Sequence, residues 1–537
     1  MAQFDNIIKV EVQNSFSQIT SSCPYEFLEA LDNELAFGIA GSKFMLEELE
    51  RKRRRAAEAA GLVYTPEFNA NGWDGRNHMF KLRSRSFPTG FIFRVEEIAR
   101  NHGMALNIID QRRCPSLGDP LEFKRTLRPH QLEALESLLT GSRGLTRGLL
   151  ESATGSGKTT IMAALTAALN VKTLVLTCKL DLLHQLRSEF STMLGQPIGV
   201  LGDGVWEPQK ITVAMVPSLI KIVDPRINYK KERALSEDMD DDAKSDNIIL
   251  TKKEEIKDWL RQVSLLISDE VHHMASKWGY KISQSLTSAY WRYGFSATAY
   301  GLRADGTDYM NEASMGPVLC RVPAGRLVRD GMLVPVNVYT LQCDHSGHRY
   351  GRKSGYTSFY SNAVVANEER NRIILEACCA LYNRGANVLV AVLRVGHGKF
   401  LEEALCRILG AGKAKFVYGE DTTETRVYYK EALNHKQLPV LISTLMGEGL
   451  DMPSLSAAID VRGVDSQIAT VQLLGRVMRL DPNNPNKKSA LYIDIADCGE
   501  RWLESHTESR MTIYERDPDA YRVYPLTSPT QLQTHVL

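Results

Sequence analysis

The stretch GLLESATGSGKTTIMAAL, residues 148–165, places an apolar run, a glycine-rich turn and a helical pattern in that order. Glycines lack Cβ atoms and permit unusual backbone dihedrals, so backbone N–H groups of such a turn can face a chain of phosphates. Ser152 stands where the strict pattern has glycine, which is a mild departure. The stretch therefore predicts a strand, a phosphate-binding loop and a helix, with phosphate contacts from Thr154, Gly155, Ser156, Gly157, Lys158, Thr159 and Thr160.

Around this loop, short apolar β-rich runs alternate with helical patterns, which is typical of parallel sheets built from βαβ units. The first set is GLLES, TLVLTC, ITVAMV, SLLISDE and YGFSAT. A second set begins near residue 335 with NVLVAVL, AKFVYGE, PVLISTL, AAIDVRG and SALYIDIAD. The sequence therefore predicts an α/β protein with two doubly wound parallel-sheet domains in tandem. The Pro/Gly-rich segment CPSLGDP, residues 114–120, is typical of a linker and separates a small α+β N-terminal domain from the two parallel-sheet domains.

The composition is that of a globular protein, with 43% hydrophobic and 24% charged residues among 537. We expect no membrane span and no signal peptide, because no run reaches ~18 apolar residues and the N-terminus lacks a basic region before an apolar one. The nine cysteines are scattered without a CxxC pair, which argues against a disulfide framework and structural zinc. These features predict a cytoplasmic location.

The net charge of +1 hides an uneven distribution. Nine basic residues lie between Arg51 and Arg85, opposed only by Glu58, Glu67 and Asp74. An acidic insertion, roughly residues 223–256, separates two strands of the first block, and its composition predicts a mobile excursion or an exposed helical arm outside the core.

Two further motifs complete a nucleotide hydrolase. The apolar run Leu265–Ile267 leads into Asp269 and Glu270, which delivers two carboxylates to the carboxyl edge of a sheet. We expect Asp269 to hold Mg²⁺ through its water shell and Glu270 to deprotonate the attacking water, while His272 senses the γ-phosphate.

The second block supplies the run QLLGRVMR, residues 472–479. If it is helical, Gln472, Gly475, Arg476 and Arg479 share one face, and the two arginines can neutralise transition-state charge.

ATGSGKT, DEVH, SAT at residues 296–298 and QLLGRVMR resemble motifs I, II, III and VI of the superfamily-two helicases. LRPHQ resembles the adenine-side motif of that family, with Arg128 and Gln131 in the matching places, and ISTLMGEGLDMP resembles motif V, with Thr444, Gly449 and Asp451. The resemblance covers residues 128–479 and implies two RecA-like domains that close on ATP and Mg²⁺. It also implies catalytic roles for Lys158, Asp269, Glu270, Arg476 and Arg479.

The implied domains are an N-terminal DNA-binding domain (1–118), a first RecA-like domain (121–325), a second RecA-like domain (333–500) and a C-terminal tail (501–537). RVGHGKFLEEAL with VYGEDTTETR, and the segment that begins NGWDGRNHMFKLRSRS, resemble the phage UvsW-type branch-migrating DNA helicases. That likeness implies an ATP-dependent DNA helicase acting on forks, Holliday-type junctions or R-loops. Because one chain carries a complete set of ATP-site motifs, a monomer would be sufficient for activity.

Candidate DNA contacts come from the residue pattern of the N-terminal domain and from the helicase motifs. In the N-terminal domain, Arg53, Arg54 and Arg55 belong to a dense basic run, and Trp73 with Arg76 could lie against a sugar or a splayed base. A solvated helix face and a core role for Trp73 are the alternatives. The motif match adds Lys179, Ser218, Arg394, His397 and Thr444, each of which could equally be a local hydrogen-bonding loop residue.

Three other functions remain open at this stage. A double-stranded DNA translocase would move without separating strands, although a nuclease cluster for a restriction role is not evident. An RNA helicase would carry the same motor. An ATP-gated DNA-binding scaffold would hydrolyse poorly, which the complete set of catalytic residues argues against.

Overall fold

The computed structural model describes residues 6–38, 42–61, 74–225, 242–298, 306–347, 355–445 and 452–533. The chain divides into two compact units. The first unit contains residues 1–151 and 159–321, and the second contains residues 152–158 and 322–537. No described helix combines the length and the apolar character that crossing a membrane requires.

The N-terminal domain is a four-stranded sheet in the order β5-β2-β1-β6, in which β1 pairs antiparallel with β2 and parallel with β6. One face is covered by apolar side chains of two helices, among them Phe27 and Val95, which are buried. A separate two-stranded sheet pairs β3 with β4. The elements are β1 (Ile7–Val12), β2 (Phe16–Ile19), α1 (Tyr25–Glu34), β3 (Ala36–Gly38), α2 (Ser42–Ala59), β4 (Arg76–His78), β5 (Ser86–Pro88), α3 (Ile92–Asn101) and β6 (Ala105–Asp110).

The first RecA-like domain is an eight-stranded sheet in the order β10-β9-β11-β8-β12-β13-β7-β14. The run from β9 to β7 is parallel, and β10 joins β9 as an antiparallel edge strand. Its elements are α4 (Pro129–Thr140), β7 (Arg147–Ser152), α5 (Lys158–Leu169), β8 (Thr173–Thr177), α6 (Leu180–Leu194), β9 (Gly199–Gly202), β10 (Val205–Glu207), β11 (Ile211–Met215), α7 (Val216–Val223), α8 (Asp246–Leu260), β12 (Leu265–Ser268), α9 (Lys277–Ser285), β13 (Trp291–Ser296), α10 (Tyr309–Met315) and β14 (Val318–Val322).

The central strands of this sheet are buried on both faces, because helices cover each side. All residues of β8, β11, β12 and β13 are buried, as the continuous apolar runs predict for a doubly wound sheet. One apolar cluster forms on each face of the sheet. Val175 and Leu174 are neighbours in β8 but belong to different clusters, because successive side chains of a strand point to opposite faces.

The second RecA-like domain is a seven-stranded sheet, fully parallel, in the order β17-β18-β16-β19-β20-β15-β21. Its elements are α11 (Ala324–Arg329), β15 (Val336–Asp344), α12 (Gly355–Tyr360), α13 (Glu368–Asn383), β16 (Val388–Ala391), α14 (Val395–Leu409), β17 (Ala414–Val417), α15 (Thr423–Asn434), β18 (Val440–Ser443), β19 (Ala457–Asp460), α16 (Gln467–Val477), β20 (Ala490–Cys498), α17 (Arg501–Arg516) and β21 (Tyr521–Leu526). The predicted fold class is thereby confirmed.

Within the predicted C-terminal tail, residues 501–533 are folded into the second domain, which corrects the predicted boundary. Helix α17 buries Leu503, Ile513 and Tyr514, and β21 pairs in parallel with β15 in the second sheet. This strand was not predicted, because YRVYPL contains a proline and exposed positions that are not typical of a buried strand. Both are tolerated in a strand at the edge of a sheet.

The acidic insertion is also partly core, contrary to prediction. Helix α8 begins within it and buries Ile249 and Ile256 in the first RecA-like domain, and just beyond the insertion the Trp259 ring meets Trp206 edge-on, with 5.8 Å between the ring centroids. Charged residues on the outer face of α8 masked this apolar stripe in the overall composition. Residues 226–241 of the insertion lie outside the described part of the chain.

Candidate ATPase and nucleic-acid site

The phosphate loop follows the carboxyl end of β7 and leads into α5. Gly155 and Gly157 have φ of 88° and 83°, a left-handed conformation that glycine adopts without the Cβ penalty other residues meet. Lys158 begins α5, and its Nζ donates to the carbonyl of Ser152 at 3.3 Å. Thr159 and Thr160 are half-buried in the first helical turn. The turn therefore has the backbone shape that a triphosphate needs, with one cation at the helix N-terminus.

The DEVH motif follows the carboxyl end of β12, two strands away from β7 at the same edge of the sheet. Asp269 is buried, and its Oδ1 accepts from the Glu270 N–H at 3.1 Å. Glu270 has φ 43° and ψ 57°, which is uncommon for any residue other than glycine and is found disproportionately at functional sites. This backbone turn sets the direction of the Glu270 carboxylate.

Ser296, at the end of β13, connects the carboxylate of Glu270 with the imidazole of His272. The Ser296 hydroxyl donates to Glu270 Oε2 at 3.2 Å and lies 2.9 Å from His272 Nδ1, while the Thr298 N–H donates to Ser296 Oγ at 3.0 Å. Ser296 was not among the predicted site residues. Its signal was the SAT motif directly after an apolar strand.

Chemically, the residues at this edge fit a nucleoside triphosphate with Mg²⁺. Bound Mg²⁺ would supply charge to polarise phosphate oxygens, and the oxygen-bearing side chains of Thr159 and Asp269 are of the type it prefers. The phosphate loop supplies backbone N–H groups and the Lys158 ammonium, which suit a polyanion.

On the adenine side, Gln131 is buried at the start of α4, where its Oε1 accepts from the Arg128 N–H at 3.0 Å. Arg128 itself is exposed. The glutamine is therefore fixed by its place at the start of the helix.

The motif VI run is only partly helical. Helix α16 ends at Val477, so Gln472, Gly475 and Arg476 share the helix, and Arg479 lies beyond its end. The predicted single helical face is thus wrong for Arg479, whose backbone instead forms an isolated bridge with Leu333. Arg476 is buried and Gln472 half-buried. Gly449 and Asp451 of motif V fall outside the described residues.

Helix α16 follows a six-residue loop, residues 461–466, and side chains donate to the carbonyls of its first four residues. Val461 O accepts from Arg370 Nη1 at 2.8 Å, and Arg462 O accepts from the Tyr360 hydroxyl at 2.5 Å. The other two bonds run to Gly463 O from His506 Nδ1 at 3.0 Å and to Val464 O from Arg510 Nη1 at 3.0 Å. We call this arrangement the carbonyl clamp.

The two arginines of the carbonyl clamp are themselves fixed by carboxylates. Arg510 binds Asp494 through Nε and Nη2, and Arg370 binds Asp497 in the same way. Burial opposes the charged form of Asp497, but the charge of Arg370 lowers its pKa below the ordinary value. The carbonyl clamp was not predicted, because its members come from α12, α13 and α17, and no sequence spacing relates them.

Two predicted DNA contacts are wrong in this structure. Ser218 is fully buried and its hydroxyl binds the Asp242 carboxylate. His397 is fully buried, and its Nε2 lies 2.8 Å from Asn371 Oδ1. Burial lowers the pKa of His397 to about 3, so the ring is neutral. Neither side chain has surface left for a phosphate.

The other predicted contacts are accessible to different degrees. Lys179 is half-buried at the start of α6, Thr444 is half-buried after β18, and the half-buried Arg394 places its guanidinium 5.6 Å from the Tyr360 ring centroid. Arg76 has a structural contact instead: its Nη2 donates to Ala36 O at 3.1 Å.

In the basic helix α2, Arg54 and Arg55 are exposed, and Arg54 pairs with Glu58 at 3.5 Å. The side chain of Arg53 and the whole of Trp73 fall outside the described part of the chain.

Comparison with known proteins agrees with the motifs. The domain family described as "Type III restriction enzyme, res subunit" matches residues 124–300, and "Helicase conserved C-terminal domain" matches residues 370–481. The "ATP-dependent DNA helicase uvsW" of Enterobacteria phage T4 is 22% identical over 470 residues, covering 82% of this chain and 85% of that protein. The "DNA 3'-5' translocase XPB2" of Sulfurisphaera tokodaii is 24% identical, covering 73% of this chain and 85% of that protein.

Among solved structures, a fragment of a putative HsdR subunit of a type I restriction enzyme from Vibrio vulnificus YJ016 shares the fold. Its TM-score is 0.52 at 17% identity, over 76% of this chain and 70% of that one. The motifs, the two RecA-like sheets and the two matching domain families lead to one conclusion. This chain belongs to the superfamily-two ATP-dependent helicases and resembles phage UvsW.

Proposed function

We propose that this helicase remodels branched DNA, namely forks, Holliday-type junctions or R-loops. The observation that carries the proposal is that the N-terminal domain, which contains the basic helix α2, lies with the first RecA-like domain in one compact unit. A motor with a fixed accessory domain can hold two arms of a junction at once, which a motor for a single linear strand does not require. The sequence likeness to UvsW, a DNA helicase by its name, supports DNA as the substrate.

The attachment depends on two arginines at the amino ends of strands in the first RecA-like sheet. Arg147 Nη1 donates to Asn14 O at 2.9 Å, and Arg292 Nη2 donates to Ser15 Oγ at 2.9 Å. Both arginines are almost fully buried. Because breaking buried hydrogen bonds of this kind is costly, we expect the N-terminal domain to follow every movement of the first RecA-like domain.

For the ATPase, we propose that Lys158 and Thr159 bind the phosphates and Mg²⁺, with Asp269 in the metal's water shell. Glu270 would take the proton of the attacking water, and Ser296 would hold its carboxylate in line with His272. Arg476 and Arg479 would supply positive charge from the second RecA-like domain. Hydrolysis would then alternate the cleft between closed and open states, and the nucleic acid would move in steps.

We propose a DNA-binding role for the exposed arginines of α2. Five cations at residues 51–55 occupy about one and a half helical turns, and such density favours phosphate binding with little sequence preference. A monomer is sufficient for this scheme, because one chain carries every motif, and the cytoplasm is its expected location.

The test is steady-state ATP hydrolysis at one salt concentration with no nucleic acid, single-stranded DNA, linear duplex, a four-way junction and single-stranded RNA. Branch remodelling predicts the strongest stimulation by the junction, accompanied by strand separation of that junction. An Arg54→Gln, Arg55→Gln double variant should require more junction DNA for half-maximal stimulation, while its unstimulated hydrolysis stays unchanged.

Other outcomes would assign a different substrate. Equal stimulation by linear duplex without strand separation would replace the proposal with a double-stranded DNA translocase. Preference for RNA would make the chain an RNA helicase. Lack of stimulation by every nucleic acid would contradict the motor proposal.

A further inference from the structure

A cavity lies in the first unit at the amino edge of the RecA-like sheet. Its volume is about 480 Å³, and its lining includes Asn14, Arg112, Arg113, Ser264, Gln284 and Ser288. Ser264 directly precedes β12 and Asp269 directly follows it. The four residues of β12 span about 13 Å, so this cavity and the ATPase carboxylates lie at opposite edges of one sheet.

The wall of the cavity carries unbalanced positive charge. Arg112 uses Nε and Nη2 on the Asp110 carboxylate, at 2.9 and 2.8 Å, and its guanidinium lies 4.5 Å from the Tyr290 ring centroid. Arg147 and Arg292 lie behind it and bind carbonyls and the Ser15 hydroxyl, without a described carboxylate partner.

Burial and the charge of Arg112 lower the pKa of Arg292 to about 9, which still leaves Arg292 charged at neutral pH. Arg113, exposed at the rim, adds a further cation. The neighbourhood is therefore suited to an anion.

Three polar atoms of lining residues are buried without a hydrogen-bond partner among the described residues. One is a donor, Arg112 Nη1, on a side chain with no exposed surface. The other two are acceptors, Asn14 Oδ1 and Gln284 Oε1. The Asn14 amide is oriented by its own Nδ2, which donates to Thr287 O at 2.9 Å, so its oxygen is the free atom. Buried polar atoms normally have partners, so these three indicate a ligand.

The chemistry of the three atoms narrows the kind of ligand. Arg112 Nη1 and Arg113 offer donors to a phosphate, which arginine binds well. The two amide oxygens need donors, which a bare phosphate at neutral pH supplies poorly. A nucleotide offers both, because its sugar hydroxyls and the N–H groups of its base can donate. A cavity of about 480 Å³ lies within the range of pockets for small ligands.

We propose that this cavity binds one nucleotide unit, with its phosphate at Arg112 and Arg113 and its sugar or base at Asn14 and Gln284. The nucleotide comes either from a nucleic-acid strand or from the free pool, since the recognised groups are the same. The proposal is independent of whether the helicase remodels branched DNA.

The test uses the full chain with saturating ADP, which occupies the phosphate loop. Two probes are titrated: dTMP by calorimetry and a fluorescent twelve-nucleotide oligothymidylate by anisotropy, the latter over a range of salt concentrations. Arg113→Gln removes the rim cation, and Ser288→Trp fills the cavity from an exposed position. Arg100→Gln removes a cation from the same domain that does not line the cavity, and it serves as the matched control.

We expect each cavity variant to weaken binding of at least one probe about tenfold, while Arg100→Gln changes neither more than twofold. If the strand is the ligand, Arg113→Gln also reduces the slope of log affinity against log salt by about 0.7. A loss confined to dTMP identifies free nucleotide, and a loss confined to the oligonucleotide identifies the strand. Unchanged binding of both probes by both cavity variants, or an equal loss in the control, would overturn the proposal.

Discussion

Glu270, the proposed general base, is held in place by its backbone conformation and by a hydrogen bond. Its positive φ turns the side chain out of the strand direction, and the Ser296 hydroxyl donates to its Oε2 at 3.2 Å. Glu270→Gln keeps this size and shape but cannot take a proton. We expect nucleic-acid-stimulated turnover to fall about 10²–10⁴-fold while the Kd for ATP and for DNA changes less than threefold.

This expectation is checked by steady-state hydrolysis together with equilibrium binding. Glu254→Gln, on the exposed face of α8, is the control and should hydrolyse like the parent. Turnover that survived Glu270→Gln would mean that another group activates the water.

Lys487 gives a second prediction at this scale, because its ammonium joins the segment just after motif V to motif VI. Its Nζ donates to Leu455 O at 2.7 Å and to Arg479 O at 2.6 Å. Burial lowers its pKa to about 8, with Asp481 opposing the shift. In the unfolded chain the pKa is about 10.4, so between these two values the unfolded state binds more protons and stability rises with pH.

We therefore expect the parent to gain thermal stability relative to Lys487→Met as the pH rises from about 8 to about 10. The measurement is the unfolding midpoint of both proteins at each pH. Lys488→Met, at an exposed neighbouring position, should follow the parent throughout. A constant difference between parent and Lys487→Met across this window would contradict a lowered pKa.

At the scale of elements, the carbonyl clamp fixes the start of α16 and so the position of Arg476. Tyr360→Phe removes one hydroxyl and leaves the buried Arg462 carbonyl without that donor. We expect the free energy of unfolding to fall by about 1–3 kcal/mol. We also expect kcat for ATP to fall several-fold with KM little changed, because displacing Arg476, the proposed arginine finger, would destabilise the transition state more than the ground state.

Chemical denaturation and steady-state kinetics on the same preparations measure the two effects. Tyr428→Phe removes a hydroxyl from a side chain that is 66% exposed, and should leave both quantities unchanged. A loss of stability with kcat intact would restrict the carbonyl clamp to a structural role.

At the scale of the whole molecule, the N-terminal domain packs closely against the first RecA-like domain. A Cβ on Gly90 would lie 1.8 Å from Glu312 O, and Arg94 Nη2 pairs with the Glu312 carboxylate at 2.8 Å. We expect Gly90→Ala to force the two domains apart locally, costing roughly 1–3 kcal/mol as an overpacked contact does. The segment between β6 and α4, residues 111–128, which contains the linker 114–120, should then be cleaved faster by protease.

Limited proteolysis and thermal unfolding measure this effect. Gly38→Ala, in the same domain, is the control, because a Cβ there has open space. Equal proteolysis of Gly90→Ala and the parent would show that the contact is not needed for docking.

The sequence by itself determined the motor. The phosphate loop, the DEVH carboxylates and the two doubly wound sheets follow from local patterns, since continuous apolar runs make buried parallel strands and glycines permit the loop. Interpretation failed where a residue's role depends on distant partners. Ser218 and His397 were predicted as DNA contacts, but both are buried and form hydrogen bonds with Asp242 and Asn371, respectively.

Only the tertiary structure decided which separate segments meet. It placed β21 in the second sheet and brought α12, α13 and α17 to one loop ahead of α16. It also placed Arg112 beside the buried Arg147 and Arg292 at the amino edge of the first sheet. Hydrogen bonds and charges act over a few ångströms, whereas these residues lie up to 185 positions apart in the chain. Periodicity and local motifs carry no information on such pairings.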